Sequence, residues 1–411
     1  MERNITFIHA ADLHLDSPFK GLTNLPGHLF QEIKDSTFQA LTHLVEAAIE
    51  YEVDFVLITG DLFDNEKQSL KAQIHLRKAF ERLQKHLISV YISYGNHDFI
   101  NGNIHQVTYP DNVHIFPDEQ VRSFVYEKNG EPLARVYGFS YVNRAVTENK
   151  SKEYEVENRD IPFHIAMLHG SVQGDEEHDP YAPFQISDLA MKGFDYWALG
   201  HIHKRAVLKE EPYIVYPGNT QGRHRKETGE KGCYYVQLAS HKTDVTFIPL
   251  QEIEFTNLSV DVSSLKEIFD LEAMVLENIK QLEGGTPRLI DINLPGQNSE
   301  LKKWKINGQL DELIDIINES LSNQIPWRYI FNVAVSMEER LAIDETSYGE
   351  HFFGELKQII ENTDGLSHLQ ELYQHRQARK YLDLPTRTEE KVWKQEAGNR
   401  LFDELLKGAS R

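Results

Sequence analysis

Cysteine is almost absent. Cys233 is the only one in 411 residues, so no disulfide can close within the chain, and the sequence is compatible with a reducing compartment. Long apolar runs are missing as well: every hydrophobic stretch is strand length, far below the roughly 20 residues that span a bilayer, which excludes a membrane span. The start, Met1-Glu2-Arg3-Asn4-Ile5-Thr6-Phe7-Ile8, lacks the apolar core and cleavage site of a secretion signal. A cytoplasmic protein with no membrane attachment is expected. Positive charge is scarce: 43 Lys and Arg face 64 Asp and Glu, a net charge of -21. That balance argues against a simple basic nucleic-acid module, because an acidic surface repels phosphate backbones. Bound divalent cations would add positive charge that this count omits. Local basic clusters also survive, at Lys204-Arg205 and Arg223-His224-Arg225-Lys226. Low-complexity tracts and internal repeats are lacking, and apolar (40%) and charged (26%) residues stand at ordinary globular levels.

The length exceeds what one hydrophobic core supports, so a catalytic domain with a smaller companion is expected. The first half alternates short β-rich runs (Ile5 to Ala10, Phe55 to Thr59, Ile88 to Ser93) with helical patterns. One helix carries Leu41, Leu44, Val45, Ala48 and Ile49, the next Leu70, Ile74, Phe80 and Leu83. Strands then follow closely, with Asn129-Gly130 marking a hairpin. The spacing predicts a domain over 1–250, a small α+β domain over 251–337 and a charged helical segment over 338–411. The α+β part holds a helix around Leu265 to Leu282 and strands at Arg288 to Leu294 and Tyr329 to Val335.

Five short motifs occur in order, each where an apolar strand stops: Asp12-Leu13-His14, Gly60-Asp61-Leu62-Phe63-Asp64, Gly95-Asn96-His97-Asp98, Leu168-His169-Gly170 and Gly200-His201-Ile202-His203. Loops at strand ends of α/β folds gather on one edge, so distant motifs meet there. In an extended backbone residues two apart face one side, which would aim Asp12 with His14, and His201 with His203, at common points. Taken singly the motifs are ordinary, since Gly-Asp is a common turn and a lone His is a common surface residue. Their conjunction is a metal-ligand inventory of imidazoles, carboxylates and one amide.

These residues resemble the calcineurin-like metallophosphoesterase superfamily, whose motifs run D-x-H, G-D-x-x-D, G-N-H-(D/E), a lone His and G-H-x-H, over roughly residues 5 to 220. Gly-Asp-Leu-Phe-Asp and Gly-Asn-His-Asp are similar to the SbcD-like DNA-repair nuclease branch, and the whole length to its YhaO-type members. Protein phosphatases of the superfamily usually carry Arg where Asn65 stands here. The resemblance implies an α/β sandwich of two sheets flanked by helices, with an α+β accessory domain and a helical C-terminal tail. It implies two divalent ions, Mn²⁺ first and Fe or Zn²⁺ as alternatives. Asp12, His14, Asp61 and His203 would hold one, and Asp61, Asn96, His169 and His201 the other, with Asp61 bridging. His97 would protonate the leaving oxygen, and Asp64 would orient His97.

The implied reaction is two-metal hydrolysis of a phosphodiester, with DNA the favoured substrate. Lys204, Arg205, Arg223 and Arg225 are candidate DNA contacts. Residues 338–411 would dock a partner, by resemblance an SMC-like ATPase of the SbcC type, since Val392, Leu401 and Leu405 need a surface to cover them. A homodimer is also compatible. Two other readings remain open: an esterase for nucleotides or cyclic nucleotides, and a metal-bound adaptor without activity.

Overall fold

The computed structural model describes residues 3–22, 25–64, 68–102, 107–174, 181–295 and 299–336, and beyond these 355–356, 358–360, 362–374, 390–391, 393–394, 397–398 and 401. The chain forms two compact units: Met1–Phe19 with Pro26–Ser336, and Lys20–Leu25 with Met337–Arg411.

The larger unit is built on two six-stranded sheets. The first comprises β1 (Asn4–Ala10), β2 (Phe55–Thr59), β3 (Ser89–Ser93), β4 (Val113–Ile115), β11 (Gly232–Ala239) and β12 (Lys242–Pro249), in the order β12-β11-β1-β2-β3-β4. Strands β1 to β4 run parallel, with Phe7 opposite Phe55 and Phe55 opposite Ser89. The second holds β5 (Arg122–Lys128), β6 (Glu131–Gly138), β7 (Phe163–His169), β8 (Tyr196–Gly200), β9 (Ala206–Glu210) and β10 (Tyr213–Tyr216), in the order β5-β6-β7-β8-β10-β9, with the short helix α3 (Ile186–Ala190) between β7 and β8 in the chain. Asn129 and Gly130, at φ 56° and 79°, make the tight β5–β6 turn, whose left-handed pair suits the strand twist.

Alternation along the parallel strands explains the layering. Phe55 and Leu57 join Ile5 and Phe7 in a core shared with Val136, Ile165 and Met167 of the other sheet. Val56 and Ile58 face the opposite way, onto helices α1 (Gly27–Glu50) and α2 (Leu70–Lys85). Strand β2 is buried on both faces, and its continuous run Phe-Val-Leu-Ile-Thr has no polar side to spare. On α2 the expected stripe is half right. Phe80 and Leu83 are buried, but Leu70 is 60% exposed, and the core face is completed by Ala72, Leu76 and Ala79. Leu70 is the first helical residue, out of phase with the face that Leu76, Phe80 and Leu83 set; Ser69 caps the start by accepting from Ala72 N–H at 3.0 Å.

After Leu250 a three-stranded parallel sheet, β13 (Glu254–Ser259), β14 (Arg288–Pro295) and β15 (Arg328–Ser336), encloses its own core with α4 (Ile268–Lys280), α5 (Ser299–Ile306) and α6 (Gln309–Leu321). Parallel neighbours need crossovers, which α4 supplies between β13 and β14, and α5 with α6 between β14 and β15. Trp327 donates its indole N–H to Glu32 of α1 at 2.7 Å. In the smaller unit, residues Gly365–Gln374 form a helix. Among the described residues no helix is long and apolar enough to cross a membrane.

Candidate metal centre

The motif loops continue the sheet beyond the strand ends. Asp12 N–H donates to the Gly60 carbonyl (3.1 Å), His14 N–H to Asp61 (3.0 Å) and Leu15 N–H to Leu62 (2.9 Å). Gly60 N–H meets the Ser93 carbonyl at 3.1 Å, and Gly170 N–H the Gly200 carbonyl at 3.1 Å. The five loops are thereby fixed side by side. Four ligand candidates bend into the left-handed region: Asp12 (φ 53°), His14 (43°), Asp61 (52°) and His201 (97°). Such backbone is uncommon away from glycine and persists only where the surroundings impose it. Left-handed turns, not strand alternation, therefore aim Asp12, His14 and His201, and they bring Asp12 and His14 to one point but not His201 and His203.

Close packing accounts for the glycines. A Cβ at Gly60, itself at φ 80°, would lie 2.1 Å from His169 Nδ1, and one at Gly95 would lie 2.3 Å from Asp61 Oδ1 and 2.7 Å from His169 Nε2.

The donors collect in two groups. One atom each from Asp12, His14 and His203 lie within 4.8 Å of one another, and so do atoms from Asp61, His169 and His201. His201 and His203 thus fall in different groups. Asp61 Oδ2 stands between them, 3.7 Å from His14 Nε2 and 3.6 Å from His169 Nε2. Asn96 Oδ1 lies 3.0 Å from His169 Nε2. Both Asp12 oxygens accept from His201 N–H at 3.1 Å.

Burial sets the charge states. It pushes Asp12 well above the usual carboxylate range, with the nearby Asp61 adding to the rise. Burial acts on Asp61 too, but the polar groups around it, the His97 N–H donated to Oδ1 among them, hold that carboxyl low. His14, His169 and His203 are all driven down by burial, so their rings stay neutral and offer lone pairs. The His169 tautomer is fixed: Nδ1 lies 3.1 Å from the Thr59 carbonyl, to which it must donate, leaving Nε2 as acceptor.

These residues fit a pair of divalent cations. Donors on one ion with bonds of about 2.1 Å stand roughly 3 to 4 Å apart, close to the spread found here. The fully buried His14 Nδ1 makes no hydrogen bond, and His14 Nε2 faces His203 Nε2 at 3.0 Å, nitrogen to nitrogen. Neutral imidazoles, carboxylates and an amide without thiolate suit Mn, Fe or Zn.

His97 stays outside both groups. Its Nδ1 donates to the backbone carbonyl of Asp64 at 2.9 Å, its N–H to Asp61 Oδ1 at 3.0 Å, and its ring stands edge-on to His14. The contact of His97 with Asp64 is thus to the main chain, while the Asp64 carboxylate pairs with Arg223 and lies 3.8 Å from His14 Nδ1. Asp98 is buried, accepts N–H groups from Leu62 (2.6 Å) and Gly95 (2.7 Å), and ties two motif loops together.

The basic candidates are dispersed. Arg205 lies over the Phe247 ring, 3.6 Å from its centroid, Arg225 is 4.0 Å from Asp291 of β14, Arg223 is in the site, and Lys204 is exposed. Glu227, which sequence reading overlooks, is buried and lies 2.6 Å from His203 Nδ1. It follows four basic residues and carries no motif, so nothing in the sequence separates it from a solvated charge.

Two layered sheets with buried Asp and His groups at their shared edge agree with comparison to known sequences, in which residues 5–205 match the calcineurin-like phosphoesterases. The chain belongs to this family of metallophosphoesterases, which are hydrolases. It is 41% identical over 399 residues to the uncharacterized metallophosphoesterase YhaO of Bacillus subtilis, covering 97% of both chains. It is also 28% identical over 262 residues to the DNA double-strand break repair protein Mre11 of Methanocaldococcus jannaschii, covering 60% of this chain and 66% of that one. A protein of the same name from Sulfolobus acidocaldarius is 23% identical over 346 residues, covering 78% and 86%.

Proposed function

We propose that this metallophosphoesterase is a phosphodiesterase acting on DNA with two bound divalent cations, Mn²⁺ first among them, in the cytoplasm. The observation that carries the reading is Asp61 set between two Asp/His groups, with the His97 ring beside them and hydrogen-bonded to neither. Asp12, His14, His203 and Asp61 would hold one cation, and Asp61, Asn96, His169 and His201 the other. When bound, the pair would polarise the phosphoryl oxygens and ready a water for attack at neutral pH. The protein's own part is then positional. The Thr59 carbonyl holds His169 ready to ligate through Nε2. The Asp64 carbonyl engages His97 Nδ1, so a protonated ring presents Nε2–H to the leaving oxygen.

DNA as substrate draws support from the Mre11 relatives named for break repair. The domain reading of 1–250, 251–337 and 338–411 belongs to the same proposal, with the last segment docking an SMC-like ATPase. Ile359, Leu372, Trp393 and Leu401 of that segment expose 39 to 61% of their surface, apolar area suited to a partner; Val392 and Leu405 lie outside the described residues. The engagement of Arg205, Arg223 and Arg225 within the chain favours a second reading, an esterase for small nucleotides. Incubating Mn²⁺-loaded protein with end-labelled linear DNA, circular single strands and bis-p-nitrophenyl phosphate separates the two. Cleavage of the small ester with both DNAs intact would overturn the nuclease reading, and no cleavage of any would leave the adaptor.

A further inference from the structure

The two proposed cation groups differ in what stands behind their histidines. We propose that Glu227 is a positioning residue that sets the tautomer and orientation of His203, making the Asp12/His14/His203 site the tighter of two inequivalent cation sites. This rests on the two-cation reading above.

Glu227 is only 6% exposed, and a carboxylate so buried is costly unless both oxygens are engaged. Both are. Oε2 accepts from Arg223 N–H at 2.7 Å and Asn219 Nδ2 at 2.9 Å. Oε1 lies 2.6 Å from His203 Nδ1, 3.3 Å from His224 Nε2 and 3.9 Å from Arg223 Nη2. An ionised carboxylate only accepts, so His203 Nδ1 must carry the proton and Nε2 is left as a lone pair facing His14. Arg223 Nη2 lies 3.3 Å from the same Nδ1, too far to displace the shorter contact. Lys231 Nζ donates to the His203 carbonyl at 3.2 Å, holding the main chain beneath the ring.

The corresponding partner in the second group is the neutral Thr59 carbonyl at His169. A charged acceptor behind a ligating imidazole raises its basicity more than a neutral one, and loss of such a partner typically costs about 10- to 100-fold in metal affinity. The asymmetry therefore follows from the residue types.

Glu227→Gln tests this sharply. Its amide nitrogen is a donor, so with the amide oxygen kept toward Asn219 and Arg223 N–H, the group facing His203 would demand the opposite tautomer. Mn²⁺ binding is measured by EPR titration of free Mn²⁺, with melting of the metal-free proteins followed in parallel as a check on folding. The parent should bind two ions in two affinity classes. Glu227→Gln should weaken the tighter class about tenfold or more and leave the other unchanged. Glu227→Asp, which keeps the charge on a shorter stem, should fall between, and decides the matter if the Gln variant does not fold. A parent with two ions and a Gln variant with equal affinities overturns this proposal alone, as does a uniform loss at both sites. A parent that binds fewer than two ions overturns the two-cation reading along with it.

Discussion

Asp61 concentrates more of the proposed chemistry than any other side chain, because its Oδ2 lies within 3.7 Å of a ligand from each group. Asp61→Ala should therefore empty both sites, whereas loss of a ligand belonging to one site should spare the other; elemental analysis reads this directly, and unchanged occupancy would remove the bridge. His97 gives the complementary expectation. His97→Ala should keep its metal and lose roughly a hundredfold or more in phosphodiester cleavage, the usual scale of general acid catalysis. Equal rates in variant and parent would take His97 out of the mechanism. His9 supplies a test away from the metal. It is enclosed between the Tyr196 hydroxyl and the Leu199 carbonyl, each at 3.0 Å, and burial lowers its pKa to about 3. The folded ring stays neutral while the unfolded one takes up a proton below about 6.5. Its contribution to stability is thus full above that pH and is lost as pH falls toward 3, with a slope approaching about 1.4 kcal/mol per unit. Urea unfolding of metal-free His9→Gln between pH 7 and 5 should show a shallower decline than the parent, and identical slopes would refute a buried neutral His9. The ligand candidates were legible in the sequence because imidazoles and carboxylates at strand ends have few other uses in such number. Glu227 was not, since a glutamate after four basic residues looks solvated. Asp64 was half legible: its place beside His97 could be expected, but which of its oxygens serves is a matter of backbone path.

The strands of the first half were readable because strands buried on both faces leave unbroken apolar runs, as in β2. The strands that escaped are ones whose side chains are only partly buried. Strands β4 and β9 are short and lie at sheet edges, and their burial is intermediate or exposed throughout. In β13 only Phe255 is buried, so its polar-rich sequence resembles a loop. Period-two reasoning brought Asp12 and His14 together on the wrong backbone, since both lie at φ near 50°, and it joined His201 to His203, which fall in different groups. At this scale the basic segments give a further prediction. Charge reversal at Lys204, Arg205 and Arg225 together should weaken DNA binding and flatten its salt dependence, since each lost phosphate contact releases fewer counterions. Hydrolysis of a small ester should survive. Unchanged DNA affinity would assign these side chains to the intramolecular contacts of Arg205 with Phe247 and of Arg225 with Asp291.

For the whole molecule, a net charge of -21 means that long-range fields oppose approach to DNA, so a basic partner would strengthen the encounter. A chain ending at residue 337 should keep small-ester hydrolysis and fail to co-purify with the ATPase. Continued co-purification, or loss of cooperative unfolding, would place the tail in the fold instead. The segment from Asn219 to Lys231 bears on the same question. Glu227 reaches His203 from within it, while on either side Gln221 bonds the Ile253 carbonyl (2.7 Å) and Glu252 N–H (2.9 Å), and Gly229 N–H bonds the Phe255 carbonyl of β13 (3.1 Å). A displacement of β13 carried along these bonds would reach the carboxylate beside His203. Thermodynamic reciprocity then applies: a ligand of the accessory sheet that alters cation affinity by some factor must have its own affinity altered by that same factor when the cation binds. Partner titrations with and without Mn²⁺ would read that factor from the far side, and Gln221→Ala, which removes the side-chain bonds and leaves the main-chain bond of Gly229, should reduce it.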